Sequence, residues 1–156
     1  MLSHSSKEEI MKTSSESPIV VLTSRLLAPF IQLFALYVIF HGHYSPGGGF
    51  QGGAMLAASV LLMRLAVGSK AGEFQFRRAW VTKLSIVGLF IYAATGIIAM
   101  MMGGNYLDYR FLPFLWLPEP EVRAMGILLV EIGVAIAVMA TLVSIYDDLL
   151  EDDTDA

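Results

Sequence analysis

Glu131 is the one carboxylate set well inside an apolar run of this sequence, in Val130-Glu131-Ile132-Gly133-Val134. A carboxylate at membrane depth is expensive, so it must be neutral, paired or beside water, and such residues mark proton or cation paths by default. The competing reading is a structural hydrogen bond to another helix, to His41 or to glycine-rich backbone. His41 and His43 are the other titratable groups at the edge of an apolar run. Two residues apart, they point to different sides of a helix and cannot hold a metal as an i, i+4 pair. The third histidine, His4, lies in the polar N-terminal stretch, so a haem ligated across helices has no second ligand there. A histidine near a membrane entrance can move protons, and the alternative is an interfacial hydrogen-bonding group. No metal or cofactor is expected, and no Ser/His/Asp set, paired-carboxylate site or nucleotide motif is present.

The second chemical feature is the stretch Phe40-His41-Gly42-His43-Tyr44-Ser45-Pro46-Gly47-Gly48-Gly49-Phe50-Gln51-Gly52-Gly53. Pro46 lacks an N–H and the glycines after it are poor helix formers, so a helix arriving from Leu36 should stop near His43. The apolar segment that follows, Ala54 to Val67, is too short to cross a hydrocarbon core needing roughly 20 residues. If Gly48, Gly49, Phe50 and Gln51 already belong to the next helix, the span is long enough and the glycine run sits at or inside the bilayer boundary. Non-helical backbone at that depth is tolerated only under protein or beside a water-filled cavity. A glycine-rich surface turn is the plainer alternative. A phosphate cradle is strongly disfavoured, because Ala54 stands where the pattern needs Lys and then Ser or Thr.

The elements that must carry these residues follow from composition. The chain has 156 residues, 56% hydrophobic and 15% charged, with a mean hydropathy of +0.65, which is too apolar for a soluble domain of this length. Without cysteine, disulfides, thiolate metal sites and thiol catalysis are excluded. The expected fold is an all-α integral membrane protein with four transmembrane helices, at about 18–40, 48–67, 83–102 and 122–146, and a glycine-rich break between helices 1 and 2. A polar arm over 1–17 precedes them and an acidic tail over 147–156 follows. Pro29 should kink the first helix. Small residues give the second helix (Gly52, Gly53, Ala54, Ala57, Ala58, Ser59) and the third (Gly88, Ala93, Gly96, Ala99) smooth faces for close packing.

Eight of the ten Lys and Arg residues, Lys7, Lys12, Arg25, Arg64, Lys70, Arg77, Arg78 and Lys83, fall on the side that holds both termini, against Arg110 and Arg123 on the other. The positive-inside rule then puts both termini in the cytoplasm and the glycine turn outside. Arg25 and Arg64, near helix ends, are expected to snorkel to headgroups. The basic residues are a topology flank and give no support to nucleic-acid binding. The connection from Gly103 to Glu121 carries Tyr106, Tyr109, Phe111, Phe114 and Trp116 among three prolines. It is expected to lie along the membrane surface, with partner docking as the alternative.

Gly42-His43-x-x-Pro46-Gly47-Gly48-Gly49-Phe50-Gln51-Gly52-Gly53, opening a second helix, together with Glu131-Ile132-Gly133-Val134 on the fourth, resembles the MrpB/MnhB subunit of the multisubunit Mrp (Mnh) Na⁺/H⁺ antiporters. The resemblance covers about Arg25 to Ser144, and its specific part is the PGGGF core. It implies a small accessory subunit without turnover of its own, needed for Na⁺/H⁺ exchange by a hetero-oligomeric complex in a prokaryotic plasma membrane. The large subunits of such complexes resemble the proton-pumping subunits of respiratory complex I. Related subunits in membrane-bound hydrogenases leave an ion-pumping redox complex as an alternative parent, and a purely structural helix-packing role as another. The family's motif residues fall on Pro46, Gly47, Gly48, Gly49 and Phe50. Glu131, His41, His43 and Gln51 are candidates for an ion path or for packing, with Na⁺ and H⁺ as the ions moved.

Overall fold

The structure, a computed structural model, describes residues 17–42, 44, 48–67, 78–114 and 116–152. The polar arm, His43, Pro46, Gly47, most of the basic loop between the second and third spans, and the end of the acidic tail lie outside the described residues. Four long helices are present: α1 (Pro18–Phe40), α2 (Gly49–Val67), α3 (Arg78–Met101) and α4 (Glu119–Asp152). All four are long and apolar enough to cross a membrane, and no strand occurs among the described residues. α1 opens on Pro18, where a missing N–H costs nothing, and runs unbroken through Pro29. α3 ends in a Schellman motif. Gly103 takes a left-handed φ of +94°, its N–H donates to Met100, and the Gly104 N–H donates to Ala99.

The helices form a row in the order α1, α2, α4, α3; among the described residues α1 touches α4 only lightly and does not touch α3. α2 and α4 run parallel in a constant register. A Cβ on Gly49 would strike the Glu131 backbone, one on Gly53 would lie 2.6 Å from the Ala135 carbonyl, and Arg64 pairs with Asp147. α3 runs antiparallel to α4 on its other side. Gly88 and Gly133 meet backbone to backbone there, and a Cβ on Gly133 would lie 2.9 Å from the Gly88 carbonyl. Further along, Ser85 Oγ and Thr141 Oγ1 share a 3.1 Å hydrogen bond, and Val81 and Val143 are buried together with Ala57, Val60 and Ala140. Because hydrocarbon gives helices no hydrophobic reason to associate, such close approaches over small residues supply the packing. α1 closes the row on α2, presenting a single stripe of Ser24, Ala28, Ala35 and Ile39, while most of its large apolar side chains face outward.

The two ends of the row differ. At the Arg64–Asp147 end the helices finish near one level. At the other end α1 and α2 meet opposite Glu131, while α4 continues for twelve more residues toward Glu119, a rise of about 18 Å. The glycine break is therefore recessed beside a taller α3–α4 hairpin. The loop joining that hairpin folds back onto it: Tyr106 packs on Gly96, Tyr109 on Gly126 and Phe111 on Gly104, with Leu112 buried. It is a lid on the hairpin more than a strip lying flat, though Trp116 at its tip is 77% exposed.

Candidate functional site

The recess at the glycine break is built around Glu131. Its carboxylate lies where side chains on Gly42 and Gly48 would have to be: a Cβ on either would come closer than 3.0 Å to a carboxylate oxygen. Gly48 also adopts φ +98°, a left-handed conformation that side chains resist. Gly49 begins α2 directly on the Glu131 backbone, so two glycines, Gly42 and Gly48, leave the room that the carboxylate occupies while Gly49 lets the helices close up beside it. Oε2 of Glu131 is shielded from solvent. The first turn of α2 carries no acidic residue, and the positive end of its dipole lies at the carboxylate, an arrangement that favours an anion. The site can therefore hold a charged carboxylate against the start of a helix.

The other expected residues divide. Gly48 and Gly49 are buried in the recess wall, whereas Phe50 is 66% exposed and Gln51 also faces outward from the first turn of α2. His41 is exposed; its ring stacks on Tyr37 at 4.2 Å and its Nδ1 lies 3.1 Å from the Tyr37 carbonyl. His43, Pro46 and Gly47 lie outside the described residues.

Two features went unread in the sequence. The first is Arg64, which does not snorkel. It is 2% exposed and forms a buried ion pair with Asp147, because α4 continues as helix past the apolar run and brings Asp147 to the depth of Arg64. A charged pair placed once on each of two spans, near the same end, was the available signal. The second is a group of phenols on the loop side of Glu131. Tyr106 and Tyr92 meet edge to face at 6.4 Å. Burial pushes the Tyr109 phenol up, and the nearby Tyr92, Glu131 and Tyr106 push it the same way. On the loop's surface Arg110 grips Asp108 through two hydrogen bonds of 3.1 and 2.9 Å, which hold that carboxyl below its usual range.

With this geometry in place, relatives decide the family. A family described as a domain related to the MnhB subunit of Na⁺/H⁺ antiporter matches residues 19–144. The chain belongs to the MnhB family. Among MnhB relatives, a Na⁺/H⁺ antiporter subunit of Alkalihalophilus pseudofirmus is 35% identical over 85% of this chain and 96% of its own length. Antiporter subunit mnhB2 of Staphylococcus haemolyticus is 34% identical over 81% of this chain and 95% of its own. Among solved structures, a chain of the membrane-bound sulfane sulfur reductase, an archaeal respiratory membrane complex, superposes with a TM-score of 0.67 at 28% identity. The match covers 88% of the present chain and 59% of that longer one. The MnhB match reaches into all four helices and includes the recess residues that the sequence singled out, Gly48, Gly49 and Glu131.

Proposed function

We propose that this chain serves as an accessory subunit, without turnover of its own, of a multisubunit Na⁺/H⁺ antiporter in a prokaryotic plasma membrane, and that Glu131 contributes to the cation path of that assembly. Family membership supports the first part. The second is carried by one observation: a carboxylate seated where side chains on Gly42 and Gly48 would lie, at the start of a helix inside the row of spans. A carboxylate with only a packing duty would not need two residues stripped of side chains to admit it. His41, at the same helix end, and His43, which lies outside the described residues, join the reading as candidates for proton entry, and Gln51 as an outward-facing contact of the break.

The expected result is that Glu131→Gln, which keeps shape and removes the charge, abolishes Na⁺/H⁺ exchange in vesicles holding the full complex while the subunits still assemble. Intact exchange would reduce Glu131 to a packing residue. The likeness to a respiratory complex keeps a second parent in view, an ion-pumping redox assembly, in which the same recess would serve a different driving reaction.

A further inference from the structure

A cavity of about 360 Å³ opens between the lid and the first turns of α4. Arg110 and Glu119 line it with one charge of each sign, and Phe111, Phe114, Leu117 and Val122 are among its apolar walls. Val122 stands where the apolar run of α4 begins, one turn inward of Glu119, so the cavity straddles the level at which hydrocarbon gives way to headgroups. The loop folds back along the hairpin, with Tyr106 against Gly96 and Tyr109 against Gly126, and so carries Arg110 to that same level. Trp116, which meets Phe114 edge to face at 5.9 Å, is an indole of the kind that settles there. Neither charge is used up by its own partner. Asp108 takes the Nε and Nη2 edge of Arg110, two of the five N–H groups of a guanidinium, and Arg123 donates to Oε1 of Glu119 alone. The Arg110 side chain is 49% exposed and that of Glu119 60%, so the rest of each head is within reach of a ligand.

We propose that this cavity takes the headgroup of a phospholipid bearing both a phosphate and a primary ammonium, a phosphatidylethanolamine, with its phosphate on Arg110, its ammonium on Glu119 and its glycerol end against Leu117 and Val122. A guanidinium suits a phosphate, whose oxygens accept its parallel N–H groups. A primary ammonium offers three N–H donors to the carboxylate, whereas a trimethylammonium offers none. A purely anionic headgroup would bring Glu119 against negative charge, so the paired charges select a zwitterion. The volume lies at the low end of the range for ligand pockets, about 300–1,000 Å³, which admits a headgroup while the acyl chains stay in the bilayer. The site is separate from the Glu131 recess and needs none of its residues.

The test uses the complete antiporter complex in phosphatidylcholine vesicles that hold a small fraction of phosphatidylethanolamine with a diazirine on the acyl chain next to the glycerol. After illumination, mass spectrometry counts the adducts on residues 111–122. Labelling should exceed that by phosphatidylcholine or phosphatidylglycerol carrying the same diazirine by at least about tenfold, the factor that one hydrogen bond to a charged group supplies. Arg110→Gln and Glu119→Gln should each remove most of that preference, while Arg123→Gln, which leaves both cavity charges in place, should retain it. Leu117→Trp fills the cavity with the charges kept and should abolish the labelling, and it decides the matter if a charge variant fails to assemble. Equal labelling by the three lipids, unchanged in the variants, would mean ordinary boundary lipid and overturn the site. Labelling led by phosphatidylglycerol would overturn the zwitterionic match. No labelling of these residues by any of the three would mean that a neighbouring chain covers the cavity, which overturns the proposal as well.

Discussion

Arg64 shows what a single residue's burial does to its expected role. From its place near the end of an apolar run, a long cationic side chain should stretch toward headgroups. Instead it is enclosed between α2 and α4 and meets Asp147, itself 13% exposed. Two charges taken out of water gain little net stability together, but removing one strands the other. Asp147→Ala should therefore destabilise the bundle by about 3 kcal/mol, read as a drop in the thermal unfolding midpoint in detergent. The double replacement Arg64→Met with Asp147→Leu should recover most of it, and equal midpoints for Asp147→Ala and the native chain would contradict the pair's importance. Glu131 was legible as a candidate because carboxylates are rare inside apolar runs. Its glycine enclosure was half legible: Gly48 and Gly49 stood out in their run, whereas Gly42 gained meaning only when α1 was seen to end against α4. In the sequence Tyr106 and Tyr109 read as membrane-surface aromatics and Tyr92 carries no reading of its own, since nothing in their spacing brings Tyr92 of α3 beside the loop.

At the scale of helices, existence was easier to read than neighbourhood. Length and hydropathy locate four spans, because each must satisfy its own backbone in hydrocarbon. Which helix touches which depends on where backbones can come close, and small residues are scattered over every span. Gly52 proved to face Ala35 and Ile39 on α1, while its neighbour Gly53 faces Ala135 on α4, so adjacent glycines serve two different interfaces. The direction of the helices is argued from charge: Arg110 and Arg123 are outnumbered by the cationic residues assigned to the other side. A cysteine-free chain makes this simple to check. Trp116→Cys should react with a membrane-impermeant maleimide in intact cells, and Ser5→Cys should react only after permeabilisation; the reverse pattern would invert the topology.

As a whole, the molecule is a row of helices, and a row leaves broad faces uncovered. α1 turns Leu22, Leu26, Phe30, Leu33 and Phe34 outward, and α3 does the same with Ile86, Leu89 and Phe90. In a membrane these faces meet lipid or other spans, and the recessed glycine break calls for cover that a four-helix row does not itself supply. A chain built this way suits the middle of an assembly, in agreement with its membership of the MnhB family and its likeness to a chain of a respiratory complex. The most direct test of that account is purification of the chain through a C-terminal tag in mild detergent, with its companions identified by mass spectrometry. The account predicts the other antiporter-like subunits in fixed proportion, without hydrogenase or other redox subunits. A chain that emerges alone, folded and stable in detergent, would contradict it.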